Sequence, residues 1–158
     1  MRAAWYETQG QAQDVLKVGI MAEPAPGPGE VRIRIAASGI NPGDIKKRQD
    51  AFGYGMPYPR VIPHSDGAGE IDLVGEGVGA DSIGRRVWCY GAQSYRPFGT
   101  AAEYTVVPAF AAVDSSADAR IAAITVAPPR LASCTAHTPT APALPWTRTV
   151  RPSTGPAA

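Results

Sequence analysis

The carboxyl-terminal third of this chain is poor in glycine and in charge. After Pro108 glycine occurs once, at Gly155, and after Asp118 there is neither an acidic residue nor a lysine. A dinucleotide-binding fold needs a strand, a glycine-rich turn such as G-x-G-x-x-G and a helix, so that backbone N–H groups face the pyrophosphate. The sequence therefore predicts no dinucleotide-binding domain in this stretch.

The same stretch is rich in proline, alanine, threonine and arginine. Seven of the 16 prolines of the chain lie after residue 127. Such a composition offers few apolar side chains to bury, so we expect residues 115–158 to be an irregular or disordered tail. A short helix over residues 117–126 is the one regular element that the tail favours. The abrupt change in composition suggests that the sequence comes from a longer protein by truncation or by a shift of the reading frame.

The charge balance and the cysteine spacing also point to no particular partner or site. The 15 basic and 14 acidic residues nearly balance, which gives no reason to expect nucleic acid as a partner. The sequence has no long apolar run, so we expect no membrane partner, and the first residues lack the apolar core of a signal peptide. The two cysteines have no C-x-x-C spacing, which is typical of reduced structural thiols in a cytoplasmic protein.

Residues 1–114 carry short β-type runs separated by glycine and proline turns. The run at 31–35 alternates strictly between apolar residues and arginine, as a half-buried strand does. A helix is predicted over 44–50, with Lys46, Lys47 and Arg48 on its solvent side. Other strands are predicted at 2–6, 15–20, 68–74, 85–90 and 101–107. This pattern predicts a mainly β fold with a short helix, closed into a small, partly open barrel.

Five motifs occur in order along the first two thirds of the chain. Residues 38–44 read S-G-I-N-P-G-D, and residues 63–71 read P-H-S-D-G-A-G-E-I. These resemble the S-G-[VI]-N-P-x-D and P-G-x-D-x-A-G-x-V segments of zinc-independent quinone oxidoreductases, the zeta-crystallin-like branch of the medium-chain dehydrogenase/reductase superfamily. Residues 74–78, 84–87 and 99–104 are similar to further segments of that family.

The resemblance implies a fold and an activity. It implies that residues 1–114 form the GroES-like catalytic domain, the substrate side of an enzyme that transfers hydride from NADPH to a small-molecule quinone or activated alkene. Full-length members of the family are homo-oligomers. Because the Rossmann domain is missing from this sequence, we expect the chain to be inactive alone and to bind NADPH weakly or not at all.

The resemblance also bears on metal binding. In zinc alcohol dehydrogenases a cysteine ligand occupies the position of Asn41 and a histidine ligand occupies that of Ser65. Neither an amide nor a serine hydroxyl is a good Zn²⁺ ligand. We therefore expect no metal site, with His64 as a possible shifted ligand and a hydrogen-bonded structural histidine as the more common alternative.

Candidate site residues follow from the same motifs. Asn41 is expected to hold the cofactor or the acceptor oxygen, since its amide both donates and accepts, or else to cap the helix. Asp44 is expected near the cofactor, with a capping role favoured. Ser65 is a third cofactor-side candidate. The following run, 66–69, is expected to let the backbone approach the cofactor cleft closely.

Two tyrosines complete the candidate site. Tyr54 and Tyr58 lie in the loop 52–59, and quinone oxidoreductases place tyrosines from this stretch in the acceptor pocket. A phenol offers a flat face to a quinone ring and a hydroxyl to its oxygen; ordinary loop packing is the competing explanation, and one tyrosine cannot be chosen over the other.

Two other functions remain open at this stage. The chain could be a non-catalytic GroES-like interaction module that uses its basic, proline-rich tail to engage a partner. A zinc alcohol dehydrogenase is disfavoured by Asn41 and Ser65.

Overall fold

The computed structural model of the chain describes residues 1–94 and 96–115. The predicted tail, including the possible helix over 117–126, therefore lies outside the described residues apart from Ser115. Two α-helices, seven strands and two short 3₁₀ turns follow one another along the described part. Their bounds are β1 Arg2–Trp5, α1 Ala12–Val15, β2 Lys17–Ile20, β3 Glu30–Gly39, α2 Pro42–Arg48, β4 Asp66–Val74, a turn at Ala80–Ser82, β5 Arg86–Cys89, β6 Tyr104–Pro108, a turn at Ala109–Ala111 and β7 Ala112–Asp114.

Within the described residues the strands form two sheets. The larger sheet has the order β6-β3-β4-β5-β7, and β1 pairs with β2 in a separate hairpin. All of these pairings are antiparallel. Backbone hydrogen bonds from Ala4 N–H to the Ala101 carbonyl (2.9 Å) and from Glu103 N–H to the Arg2 carbonyl (3.0 Å) join the two sheets. The result is the curled half-barrel that the sequence predicts.

The core lies on the inner face of the larger sheet. Val31 and Ile33 of β3 are fully buried, whereas Arg32 and Arg34 pair with carboxylates of β4 on the other face. The alternation predicted for 31–35 is therefore confirmed. The buried cluster comprises Val31, Ile33, Ile71, Val87, Cys89, Ala92, Val107 and Ala111.

Several element bounds differ from the sequence predictions. The helix α2 begins at Pro42, two residues earlier than predicted, because Asn41 is its N-cap and proline is well suited to the first helical position. It ends at Arg48, since Asp50 has a positive φ of 53°. The short helix α1 and the strand β7 were not predicted, and β3 continues to Gly39.

The basic face predicted for α2 is partly wrong. Arg48 is buried, with 8% of its surface exposed, and its guanidinium donates to the carbonyl of Gly10. Lys46 is exposed, as predicted. The carboxyl-terminal end of the helix is therefore fixed to the segment before α1 by a charged side chain.

Candidate active site

The amino-terminal end of α2 carries two of the predicted site residues, Asn41 and Asp44. They form a capping box, and the buried Asp44 carboxylate accepts a hydrogen bond from the backbone N–H of Asn41 at 2.8 Å. A capping box satisfies N–H groups that would otherwise lack partners at the start of a helix. The geometry of Asp44 is thus that of the capping role.

Asn41 has a second contact outside the helix. Its side-chain nitrogen donates to the Asp66 carboxylate at 2.6 Å, while the residue as a whole is exposed. An amide nitrogen carries two N–H donors. Among the described residues the Asn41 amide donates to Asp66 alone, so its second donor is available to a ligand. Ser65 is next to Asp66 in the chain, and its backbone carbonyl accepts from Ala92 N–H at 2.9 Å. The structure therefore gathers Asn41, Asp44 and Ser65 at one place.

A chain of hydroxyl groups lies beside this cluster and fixes the tautomer of His64. The Thr100 hydroxyl donates to the Asp66 carbonyl at 2.7 Å, and the Ser38 hydroxyl lies 2.8 Å from Thr100 Oγ1 and 2.8 Å from His64 Nδ1. Each hydroxyl has one hydrogen. Since Thr100 gives its hydrogen to the carbonyl, Ser38 donates to Thr100 and the imidazole donates to Ser38.

The His64 ring is therefore protonated at Nδ1 and carries its lone pair on Nε2. Burial lowers the pKa of His64, against a smaller opposing effect of the Asp44 charge, so the ring is neutral at pH 7. Trp5 Nε1 is the one buried side-chain polar atom that lacks a partner in the described part of the chain. His64 Nε2 has no hydrogen-bond partner among the described residues either, yet it is not among the buried atoms. It must therefore be exposed to solvent.

Potential metal ligands do not gather in the described residues. Across residues 1–94 and 96–115, no group of three or more His, Cys, Asp or Glu side chains could hold a metal ion. Cys89 is buried in the core, and burial raises the pKa of its thiol to about 11. A thiol that stays protonated at neutral pH is a poor ligand and nucleophile.

A cavity of about 490 Å³ opens at the other end of α2. Both predicted tyrosines, Tyr54 and Tyr58, line it together with the rings of Tyr6 and Phe52. Tyr54 is 87% exposed and stacks on Phe52 with the ring centroids 6.0 Å apart. The cavity therefore presents open aromatic faces, which suits a flat, partly apolar ligand.

Hydrogen bonds hold the wall of this cavity. The Gln9 side chain donates to the carbonyls of Lys47 (2.8 Å) and Gly55 (3.1 Å), and Gly55 N–H donates to the Asp50 carboxylate at 3.0 Å. These contacts join the tyrosine loop to the carboxyl-terminal end of α2. The loop is thus positioned by polar bonds as well as by ring packing.

Lys47 and Gln93 also line the cavity, and sequence reasoning missed both. The Lys47 ammonium donates to the Gln93 side-chain oxygen at 2.9 Å, and Gln93 is 4% exposed. Lys47 was expected on the solvent side of the helix. No local pattern identifies Gln93, because it meets Lys47 across 46 residues of chain.

The predicted site residues thus fall into two groups. Asn41, Asp44 and Ser65 lie at the amino-terminal end of α2, and Tyr54 and Tyr58 lie around the cavity at its other end. A seven-residue helix is about 10 Å long. The structure does not bring the two groups into one pocket.

The glycine run that follows Asp66 allows a close approach between two strands. A Cβ atom at Gly69 would lie 2.1 Å from the carbonyl oxygen of Arg34, on the neighbouring strand β3. The close approach made possible here is to β3. That the same run also lets the backbone approach a cofactor cleft stays a prediction.

Comparison with known proteins agrees with this architecture. The family model of the alcohol dehydrogenase GroES-like domain matches residues 27–116. The synaptic vesicle membrane protein VAT-1 homolog of Mus musculus is 45% identical over 64 residues, which cover 40% of this chain and 16% of that protein. The quinone oxidoreductase of Mus musculus is 38% identical over 89 residues, covering 54% of this chain and 26% of the enzyme.

Solved structures give the same result. A mycobacterial protein in complex with NADPH superimposes with a TM-score of 0.64 and 26% identity, over 75% of this chain and 34% of that one. The matched part of this chain therefore spans about a third or less of the length of these relatives. Across the described residues, none of the helices combines the length and apolar character needed to cross a membrane. The family match extends over more than half of the sequence, and the chain belongs to the alcohol dehydrogenase GroES-like domain family, in the quinone oxidoreductase-like part of the medium-chain dehydrogenase/reductase superfamily.

Proposed function

We propose that this chain forms the acceptor-binding half of an NADPH-dependent quinone oxidoreductase, which transfers hydride to a quinone or an activated alkene. The observation that carries the proposal is the aromatic cavity lined by Tyr54 and Tyr58. A quinone is flat and apolar, with an oxygen at each end. Stacking on the rings would hold its faces, and hydroxyl donors at the wall would bind its oxygens.

The cofactor would approach from the Asn41 end of α2. The free N–H of the Asn41 amide and the carboxylate of Asp66 suit neutral groups, such as a carboxamide or ribose hydroxyls. They do not suit the pyrophosphate, because Asp44 and Asp66 would repel it. Asn41, Asp44 and Ser65 would thus bind the ribose next to the nicotinamide, with the nicotinamide ring directed along α2 towards an acceptor in the cavity.

NADPH, when bound, supplies the hydride. The residues of this chain would orient the acceptor and shield it from water, which lowers the barrier by positioning the reactants. The pyrophosphate needs a glycine-rich turn at a helix start. We therefore propose that this chain is inactive alone, and that full-length proteins of this type work as homo-oligomers with a dinucleotide-binding domain.

A quinone titration tests the acceptor cavity directly. Lawsone methyl ether, a neutral naphthoquinone, would be added to the purified chain and followed by changes in protein NMR shifts. We expect saturable binding that Tyr54→Ala weakens at least about fivefold, because a stacked ring contributes about 1 kcal/mol. Tyr54 is largely exposed, so its truncation should leave the fold intact.

Tyr90→Ala is the matched control. Tyr90 is also a partly exposed tyrosine, at 43%, but it packs against Trp88 and does not line the cavity. The Tyr90→Ala variant should bind the quinone with the same affinity as the unaltered chain. Absence of saturable binding, or equal weakening by the two substitutions, would refute the acceptor site.

The second arm of the test concerns activity. The chain with NADPH and the quinone should oxidise NADPH no faster than buffer does. Addition of a separately produced dinucleotide-binding domain from a related reductase should restore turnover. Turnover by the chain alone would contradict the proposed division of labour.

A further inference from the structure

The cavity contains one feature that quinone binding by tyrosines does not use, the pairing of Lys47 with Gln93. Of the described residues that line it, Lys47 alone is cationic. Its ammonium group donates to the Gln93 side-chain oxygen at 2.9 Å. An ammonium has three N–H donors. Among the described residues the Lys47 ammonium donates to Gln93 alone, so its other two donors are available to a ligand.

Among the described residues, no carboxylate forms an ion pair with the Lys47 ammonium. None of the ion pairs within 4.0 Å in the described part of the chain involves Lys47. Asp50 also lines the cavity and keeps its negative charge, but it forms no ion pair with Lys47 within 4.0 Å, and its carboxylate accepts the backbone N–H of Gly55 at 3.0 Å. The cavity therefore holds a cation whose fixed partner is a neutral amide.

The partner fixes where that cation lies. Gln93 is 4% exposed, and its side-chain nitrogen is directed to the Arg96 carbonyl at 3.4 Å. This contact orients the amide with its oxygen towards Lys47. A flexible lysine that is tied to a buried amide loses little further freedom when it binds a ligand, so less binding free energy is spent on ordering it.

We propose that Lys47 makes this cavity selective for planar aromatic ligands that carry an anionic oxygen, such as hydroxyquinone anions. The aromatic rings of Tyr54 and Phe52 would hold the plane of the ligand, and the Lys47 ammonium would bind its oxyanion by a charge-assisted hydrogen bond. The inference rests on the proposed acceptor site and specifies its substrate class. The same ammonium would stabilise the negative charge that a quinone oxygen gains when a hydride adds to the ring.

The experiment compares two ligands of one shape. Lawsone is a hydroxynaphthoquinone whose acidic hydroxyl is ionised at neutral pH, and its methyl ether is neutral. Both would be titrated against the full chain at pH 7 and at low salt. We expect lawsone to bind about tenfold more tightly than the ether, as one hydrogen bond to a charged group accounts for such a difference.

Three variants test the residue. Lys47→Met should remove the preference for lawsone, so that the two ligands bind this variant with affinities within about twofold of each other, and Lys47→Arg should retain most of the preference. Lys46→Met is the matched control, because Lys46 is the neighbouring lysine on the same helix, is exposed and does not line the cavity. Circular dichroism and thermal unfolding would verify that each variant is folded.

The outcomes separate the two proposals. If neither ligand binds the unaltered chain, the acceptor site itself is wrong, and this inference fails with it. If the methyl ether binds but lawsone has no advantage, or if folded Lys47→Met keeps that advantage, the acceptor site stands and the role of Lys47 is refuted.

Discussion

His64 Nδ1 lies 2.8 Å from Ser38 Oγ, and this hydrogen bond holds a histidine in a backbone conformation that favours glycine. The φ angle of His64 is 74°. In the quinone oxidoreductase motif that this segment resembles, P-G-x-D-x-A-G-x-V, a glycine occupies the same position. Histidine is among the residues that tolerate this region better than most, but at an energetic cost. The Ser38 bond contributes to offsetting that cost.

Two substitutions at this position isolate the backbone strain. His64→Gly and His64→Ala both remove the imidazole and its bond to Ser38, and they differ in the presence of a Cβ atom. At positive φ we expect the glycine variant to be more stable by about 1 kcal/mol, although glycine also raises the entropy of the unfolded chain. The free energy of unfolding in urea would be compared for the two variants. Equal stability of the two variants would contradict this expectation.

Burial of His64 predicts a dependence of stability on pH. Burial lowers its pKa in the folded state, whereas the unfolded chain has a value of about 6.5. Between these two values the unfolded chain binds more protons, so the contribution of His64 to stability is lost as the pH falls below about 6.5. At neutral pH the contribution is fully present.

Unfolding measurements from pH 7.5 to about pH 5 would test this dependence. The comparison variant is His64→Asn, since asparagine tolerates positive φ and does not titrate. We expect the difference in free energy of unfolding between the unaltered chain and the variant to shift against the unaltered chain as the pH falls. A difference that stays constant over this range would contradict a partly buried imidazole with a lowered pKa. The titration of carboxylates common to both proteins largely cancels in the difference.

The strands were predictable because their signals are local. The alternation at 31–35 specifies which face of β3 is buried, and Val31 and Ile33 are in the core. The helix α1 spans four residues and buries none of them, so no periodic pattern indicates it. The strand β7 has three residues and exists through its pairing with β5. Elements of this length depend on partners that are distant in sequence.

The candidate site was predictable in its residue types and less so in its arrangement. The resemblance placed Tyr54 and Tyr58 at an acceptor site, and both line the cavity. It did not indicate that Asn41 lies at the other end of α2. Arg48 was expected in solvent, but it meets the Gly10 carbonyl across 38 residues of chain. Contacts of this kind arise from the tertiary fold, and local sequence patterns do not indicate them.

The outer face of the sheet has one ion pair that we expect to matter for stability. Arg32 binds Asp72 through two hydrogen bonds, of 3.0 and 2.7 Å, and its guanidinium carbon lies 4.7 Å from the centre of the Tyr104 ring. Lysine cannot form the two parallel bonds or stack in the same way. Arg32→Lys should therefore destabilise the chain by about 1–2 kcal/mol in urea unfolding.

Arg34→Lys is the control for this ion pair. Arg34 lies two residues further along β3, its side chain is 59% exposed, and it has a single contact of 3.3 Å with Glu70. Exposed pairs of this kind contribute little, so we expect a change within about 0.5 kcal/mol. If both substitutions had the same effect, the bidentate geometry of Arg32 would be irrelevant to stability.

Two glycines next to the site should respond in opposite directions to replacement by alanine. At Gly69 an added Cβ would lie 2.1 Å from the Arg34 carbonyl oxygen, so β3 and β4 would have to separate. We expect Gly69→Ala to lower the free energy of unfolding by more than about 3 kcal/mol, because both strands are central and backbone cannot move aside as a flexible side chain can.

At Gly43, in the first turn of α2, an added Cβ would meet nothing within 4 Å, and alanine is the better helix former. Gly43→Ala should accordingly be neutral or stabilise the chain by up to about 1 kcal/mol. Thermal unfolding of both variants would measure these effects, and a stable Gly69→Ala variant would mean that β3 and β4 are further apart than described here.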